Sequence, residues 1–245
     1  MPEKAVKAFI TYSTYRIVED EAYIHLFGRL ENGESFQVIK KTKPYFFIRK
    51  KDLKTAQKVF PFDHEETSYT NKEDEAVVKV VLTIPKHVAE LRQQLEAKDI
   101  ACYEADIRFV YRYLIDQGIK GSLAITGEFE KGEFVNRIYN EPKLEAADWK
   151  PKLNILSFDI ETSRDAKNIY CISLVQGSYQ QVFLVSDKKL KHTTSFPNEK
   201  ALLEAFAQKV QELDPDIITG WNVIDFDFAV LKKKFEQYRI PFKLG

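Results

Sequence analysis

The sequence is poor in the residues that build disulfide frameworks and zinc sites. Its 245 residues include two cysteines, Cys102 and Cys171, and four scattered histidines. The cysteines stand far apart without a C-x-x-C spacing, so we interpret them as buried free thiols rather than as a disulfide or as metal ligands. No two histidines are spaced to share one face of a helix, which argues against zinc chemistry.

Long apolar runs are also missing. No segment approaches the roughly 18 apolar residues that indicate a membrane span. The first residues, Met1 to Ala5, lack the apolar stretch of a signal peptide. The sequence therefore predicts a soluble, cytoplasmic protein with no membrane partner.

An excess of either charge is absent as well. The 37 basic and 37 acidic residues cancel, whereas a protein that grips duplex DNA needs a basic surface to neutralise phosphates. Two explanations are open at this point. Either DNA is not the partner, or the basic surface belongs to other parts of a larger protein.

Aromatic and β-branched residues are abundant in the first half of the chain. They predict strands over three runs: Ala8–Val18, Ala22–Leu30 and Ser35–Lys40. Asn32-Gly33 predicts a hairpin turn, and Gly121–Phe129 with Glu133–Tyr139 predicts a second hairpin. We expect a mixed, β-rich domain over residues 1–148.

Residues 140–152 are polar and contain Pro142 and Pro151, which predicts a domain boundary. The second domain, residues 149–245, alternates strands with amphipathic helices. Strands are predicted at Leu153–Ile160, Ile169–Val175, Gln181–Val185 and Asp216–Thr219, and helices at Glu199–Leu213 and Asp227–Tyr238. This order favours a ribonuclease-H-like layer arrangement, so the whole chain combines α/β and α+β character.

Two carboxylates stand at the end of the apolar strand Leu153–Ile160. Asp159 and Glu161 are two residues apart, so a strand would point both to one face. Neighbouring anions repel each other and are costly to desolvate unless a cation joins them. Hard oxygen ligands suit Mg²⁺ or Mn²⁺.

A third carboxylate follows the next predicted strand and the turn at Gly220. Asp227 falls in the first turn of the last helix, where an anion is also favoured for structural reasons. Asp225 is the better candidate for a helix cap, which leaves Asp227 to face the pair. Three such carboxylates can hold two metals about 3.5–4 Å apart, which activate water and stabilise charge on a phosphodiester.

An Asp-x-Glu pair by itself is a weak signal. The chain contains a second one, Asp63-His64-Glu65, which we predict to lie in a polar loop. The context separates the two pairs, because Asn222 and Phe226-Asp227 follow a second strand only in the C-terminal half. Together these residues favour a nuclease site over a solvated strand end.

At this point the sequence resembles the family B DNA polymerases. Phe158-Asp159-Ile160-Glu161-Thr162 is similar to their first exonuclease motif, and Gly220-Trp221-Asn222 with Phe226-Asp227 is similar to the second. Asp214-Pro215-Asp216-Ile217-Ile218 resembles especially the bacterial DNA polymerase II branch. Pro44-Tyr45-Phe46-Phe47 resembles the N-terminal domain of the family.

The resemblance implies a 3′→5′ proofreading exonuclease in which Asp159, Glu161 and Asp227 bind two Mg²⁺ or Mn²⁺ ions. It places Thr162, Asn222 and Phe226 in the substrate-binding part of the site. Asn222 would help to position the frayed primer end, and Phe226 would pack beneath Asp227. The implied partner is DNA, as a primer 3′ end and a single-stranded template.

The sequence also departs from the family pattern. No Tyr-x-x-x-Asp motif and no palm, fingers or thumb region occurs before Gly245. We therefore expect a fragment with a truncated exonuclease domain, weak or no activity of its own, and any sliding-clamp contact in the missing C-terminal part. Two alternatives stay open: a non-catalytic template-binding or sensing module, and a stand-alone ribonuclease-H-like exonuclease.

Two smaller features have simple structural interpretations. Lys232-Lys233-Lys234 is predicted to be the solvated face of the last helix. Trp221 either supports the site or is buried under the turn, and the sequence does not choose between these roles.

Overall fold

The computed structural model describes residues 5–188 and 190–244. Met1–Lys4, on which the predicted absence of a signal peptide partly rests, lie outside this range. The chain divides into two compact units, Met1–Pro151 and Lys152–Gly245. Both mix strands and helices, and the predicted fold class is confirmed. Among the described residues, none of the helices has the length and apolar character needed to cross a membrane.

The first unit is built on two sheets. In chain order its elements are β1 (Val6–Val18), β2 (Glu21–Leu30), β3 (Ser35–Lys41), β4 (Tyr45–Arg49), α1 (Leu53–Ala56), β5 (Asp63–Thr70), β6 (Ala76–Val81), α2 (Pro85–Glu96), β7 (Cys102–Tyr103), α3 (Phe109–Asp116), β8 (Ser122–Thr126), β9 (Arg137–Asn140) and β10 (Lys143–Ala146). A six-stranded sheet has the order β10-β8-β1-β2-β3-β9, and a four-stranded sheet has the order β5-β6-β4-β7. Each sheet buries its own apolar cluster.

The three strands predicted near the N-terminus are confirmed, but the hairpin predicted around Lys131-Gly132 is wrong. β8 pairs with β1 and β10, while β9 pairs in parallel with β3. Between the two runs the described residues contain a single bridge, from Glu130 to Ile138. Distant partners that bury Leu123 and Tyr139 outcompete the local turn.

The acidic segment Asp63-His64-Glu65 was predicted to lie in a polar loop, and this prediction is also wrong. It lies in β5, at the edge of the four-stranded sheet, and not in a loop. Charged side chains are a common feature of edge strands, where they discourage pairing with another chain. The polar segment 140–152 is likewise partly ordered into β10.

The second unit has one five-stranded sheet and two helices. Its elements are β11 (Ile155–Thr162), β12 (Ile169–Gln176), β13 (Tyr179–Val185), β14 (Thr193–Phe196), α4 (Glu199–Leu213), β15 (Ile217–Thr219) and α5 (Asp227–Tyr238). The strand order is β14-β13-β12-β11-β15. β11, β12 and β13 are antiparallel, whereas β15 runs parallel to β11. The sequence predicted all of these elements except β14.

One face of β11 packs into the core of this unit. Leu156, Phe158 and Ile160 are buried with side chains of both helices, among them Phe206 of α4 and Phe235 of α5. The alternate residues of β11 are exposed, including Ile155 at 49%. The strand is therefore covered on one face, and its other face is free to carry polar side chains.

Candidate active site

The exposed face of β11 carries the first two candidate residues. Asp159 and Glu161 occupy alternate positions on that face, and the residue between them, Ile160, points into the core. Among the described residues no cationic side chain pairs with either carboxylate. The strand period thus presents two exposed anions side by side, as the sequence predicts.

Asp227 reaches the same strand from the start of α5. Its side chain is 2% exposed, and its Oδ1 accepts a hydrogen bond from the backbone N–H of Ile160 at 3.1 Å. The pairing of β15 with β11 stops at Ser157, so the N–H of Ile160 lies beyond the reach of β15. Asp227 supplies the acceptor that a buried N–H requires.

The turn between β15 and α5 brings Asp227 to this position by a very close approach to β11. A Cβ atom added at Gly220 would lie 2.5 Å from the carbonyl oxygen of Phe158. Only glycine allows the backbone to pass the strand so closely. Two residues later Asn222 turns the chain with φ of 53°, and α5 begins at Asp227.

Negative charges influence the ionisable groups near the exposed face of β11. Burial raises the pKa of Asp227, and the negative charge of Asp159 raises it further, against the hydrogen bond from Ile160. Burial also raises the pKa of the Cys171 thiol, and the charges of Glu161 and Asp159 add to this effect. Crowding of like charges disfavours ionisation, and a bound cation would relieve it.

The three carboxylates are nevertheless not a closed set of metal ligands. Within residues 5–188 and 190–244, no three His, Cys, Asp or Glu side chains are grouped closely enough to hold one ion. Asp227 is held by its hydrogen bond, whereas Asp159 and Glu161 are exposed and have room to turn. Carboxylate oxygens are suitable donors for Mg²⁺ or Mn²⁺, so the residue types and their placement on adjacent backbone fit such an ion.

The remaining predicted site residues lie near these carboxylates in the chain. Thr162 ends β11, half-buried, and donates a hydrogen bond to the carbonyl oxygen of Ser163 at 3.0 Å. Asn222 and Phe226 lie in the turn before α5; Asn222 is exposed and Phe226 is 40% exposed. All three lie within a few residues of a candidate carboxylate in the chain.

Two structural predictions near the site are wrong, and one of the two alternatives left open for Trp221 is excluded. Asp225 does not cap α5, because the N-cap position belongs to Phe226, whose side chain offers no acceptor. Trp221 is not buried under the turn, since it is 92% exposed. Lys234 is not solvated: it is 6% exposed and paired with Glu199.

Glu199 and Lys234 are the polar residues of this unit that sequence reasoning missed. A lysine in a row of three and a glutamate that begins a helix after the Asn198 cap are both expected at the surface. The available signal was spacing, because Lys234 follows Asp227 by seven residues and so shares its helix face.

Comparisons with known proteins identify the family and the fold of the chain. Residues 100–244 match the family model of the DNA polymerase family B exonuclease domain. DNA polymerase II of Escherichia coli is 34% identical over 163 residues, covering 62% of this chain and 20% of that protein. A DNA polymerase of Archaeoglobus fulgidus is 28% identical across 98% of this chain and 32% of its own length.

A solved structure shows the same fold. The family B DNA polymerase of the archaeon Pyrobaculum calidifontis superposes with a TM-score of 0.73 at 23% identity, over 97% of this chain and 33% of that one. The chain thus spans about a fifth to a third of the length of these three relatives. The family model covers more than half of the chain, which therefore belongs to DNA polymerase family B and contains sequence of its exonuclease domain.

Proposed function

We propose that Asp159, Glu161 and Asp227 form the site of a 3′→5′ exonuclease that removes the terminal nucleotide of a DNA primer. The observation that carries the proposal is the hydrogen bond from Ile160 to Asp227. It places the third carboxylate against the backbone between the first two. A proofreading role in a longer DNA polymerase is consistent with the family of the chain.

Two divalent ions, Mg²⁺ or Mn²⁺, would be held by these three carboxylates. When bound, they would lower the pKa of the attacking water and stabilise the charge that develops on the phosphodiester. The residues of the chain have separate tasks. Asp159 and Glu161 are exposed to solvent and substrate, and Asp227 is oriented by the N–H of Ile160. No side chain is needed as a covalent nucleophile.

The primer end would lie over the exposed face of β11. We propose that Asn222 and Phe226, in the turn before α5, contact its last nucleotides, and that Thr162 lines the same region. In this proposal the chain contributes the chemistry, while its zero net charge leaves most of the grip on DNA to other parts of a longer polymerase. Any contact with a sliding clamp belongs to those parts as well.

Binding of Mn²⁺, measured by electron paramagnetic resonance, tests the site directly because it needs only the carboxylates. Asp159→Ala should weaken binding by at least about 100-fold, beyond the roughly 10–100-fold typical of residues that only support a ligand. Asp63→Ala is the matched control, since it removes the first residue of the other Asp-x-Glu pair. It should bind Mn²⁺ like the wild type.

Equal Mn²⁺ affinity in the wild type and Asp159→Ala would contradict the metal site. That outcome would favour a non-catalytic module that touches the template. Cleavage of matched DNA and RNA oligonucleotides with a labelled 5′ end then tests the substrate. Preference for RNA would contradict the proofreading assignment and favour a stand-alone ribonuclease-H-like exonuclease.

A further inference from the structure

A buried ion pair in the second unit connects its two helices. The Nζ atom of Lys234, on α5, lies 2.9 Å from the Oε2 atom of Glu199, the first residue of α4. The two side chains are 7% and 10% exposed. Tyr238 donates its hydroxyl to the same glutamate oxygen at 2.7 Å, so this oxygen accepts two bonds from one helix.

The other oxygen of Glu199 reaches the sheet beside the candidate site. Its Oε1 accepts the backbone N–H of Ile169 at 2.6 Å. Ile169 begins β12 and is the partner of Thr162 at the end of β11. Glu199 therefore joins α5 to the strand pair that carries Glu161.

The strand pairing is irregular at this point. Glu161 lies opposite Cys171 and Thr162 lies opposite Ile169, so Tyr170 is an extra residue on β12. A bulge of this kind bends its strand and re-aims nearby side chains. Because Glu199 holds Ile169 at one side of the bulge, it also fixes the end of β11 from which Glu161 projects.

The ion pair fixes the direction of α5 as well. Lys234 follows Asp227 by seven residues, about two helical turns, so both lie on one face of α5. Asp227 is bonded to Ile160 at the start of that face, and Lys234 is bonded to Glu199 near its end. The helix is thus held to β11 at one end and to α4 and β12 at the other.

Stability alone does not account for such a pair. Removing two charges from water is costly, and apolar residues of similar size often replace a buried ion pair without loss of stability. Directed hydrogen bonds fix orientation more closely than apolar contacts do. Here bonds from α5 and β12 converge on one carboxylate, which α4 carries.

We propose that Glu199 and Lys234 are positioning residues of the exonuclease site. They set the separation between Asp227, carried by α5, and Asp159 and Glu161, carried by β11. The inference rests on the proposed function, in which these three carboxylates bind the metal. Glu199 and Lys234 themselves are assigned no contact with metal or substrate.

Mn²⁺ affinity and thermal unfolding, measured on the same variants, test this role. Lys234→Met and Glu199→Gln should weaken Mn²⁺ binding by roughly 10–100-fold, the range typical of residues that orient ligands. Lys234→Arg keeps the ion pair and should restore most of the affinity. Lys232→Met removes an exposed charge from the same helix and should leave the affinity unchanged.

The double variant E199M/K234M separates positioning from stability. Its paired apolar side chains should make it at least as heat-stable as either single variant, while its Mn²⁺ affinity stays low. Wild-type affinity in this folded double variant would overturn the positioning role. If instead Asp159→Ala binds Mn²⁺ as the wild type does, the proposed function fails and this inference fails with it.

Discussion

The chain contains the same short motif twice, on two strands with different surroundings. Asp63 and Glu65 lie on the edge strand β5, and each pairs with a lysine: Asp63 with Lys43 at 3.5 Å and Glu65 with Lys79 at 2.8 Å. Asp159 and Glu161 lie on β11, next to the buried carboxylate of Asp227. Identical spacing thus gives neutralised anions in one place and crowded anions in the other.

The difference shows that the motif itself has little specificity. On β5 the acidic side chains serve as ordinary surface charge on a sheet edge. Beside β11, a tight turn at Gly220 and the buried side chain of Asp227 bring a third anion to the first two. Under the proposed function, the approach of the second element makes the β11 pair a metal site, and the following predictions test this in order of expected effect.

Gly220→Ala should have the largest effect, because it should move Asp227 away from Asp159 and Glu161. The β11 pair would then lack a third carboxylate beside it, as the β5 pair does. The added Cβ would lie 2.5 Å from the carbonyl oxygen of Phe158, so α5 must move away from the strand. We expect a loss of about 3 kcal/mol in the free energy of unfolding, the upper end for overpacking, and the loss of Mn²⁺ binding.

Urea denaturation and a Mn²⁺ titration measure the two effects of Gly220→Ala. Gly177→Ala is the control, since Gly177 has φ of 59° with no atom within 4 Å of an added Cβ. It should lose some stability through backbone strain and keep Mn²⁺ binding. A Gly220→Ala protein with normal Mn²⁺ affinity would show that the close approach is dispensable.

Comparison of Asp227→Leu with Asp227→Asn isolates the hydrogen bond to Ile160. Asparagine keeps an acceptor oxygen at this position, whereas leucine leaves a buried N–H without a partner. Leucine should therefore be less stable by about 1–3 kcal/mol, measured by urea denaturation. Equal stability of the two variants would mean that another acceptor replaces the carboxylate.

The pH dependence of Asp227→Asn gives a smaller effect. The pKa of Asp227 is raised in the folded chain, so its contribution to stability is complete below the ordinary value of about 3.9. That contribution is lost as the pH rises through the raised pKa. Without metal, Asp227→Asn should therefore unfold at a higher temperature than the wild type at neutral pH, and this advantage should vanish in acid.

Thermal unfolding, measured with a metal chelator present at neutral and at acid pH, checks the effect. Asp63→Asn is the reference, because Asp63 is exposed and paired with a lysine. An advantage of Asp227→Asn that persists unchanged in acid would argue that burial of the charge is not its cause.

Glu65→Ala should have the smallest effect. Glu65 is exposed, and its pair with Lys79 is solvated, so the free energy of unfolding should change by no more than about 0.5 kcal/mol. Mn²⁺ affinity should not change. Weakened Mn²⁺ binding would remove the distinction between the two motifs.

The sequence predicted the candidate site better than the first unit of the fold. Asp159 and Glu161 share a face because the strand period is two, and Asp227 opens a helix with clear amphipathic spacing. These are local properties, which a short stretch of sequence determines. Their roles as metal ligands stay a prediction.

Two of the errors concern partners that are distant in the chain. Leu123 and Tyr139 join different strands of one sheet instead of facing each other in a hairpin. Lys234 is buried because it pairs with Glu199, which lies 35 residues earlier at the start of another helix. The spacing from Asp227 indicates the helix face of Lys234, but the local sequence identifies neither partner, since both pairings depend on how the whole chain folds back on itself.

The bond between Ile160 and Asp227 has a consequence for spectroscopy. The backbone amide proton of Ile160 is hydrogen-bonded to the side-chain carboxylate of Asp227 and not to a neighbouring strand. In a nuclear magnetic resonance spectrum that single proton should shift when Asp227 changes charge, while the amide of Phe158, two residues earlier, should respond less. The amide resonance of Ile160 would thereby report the charge state of Asp227.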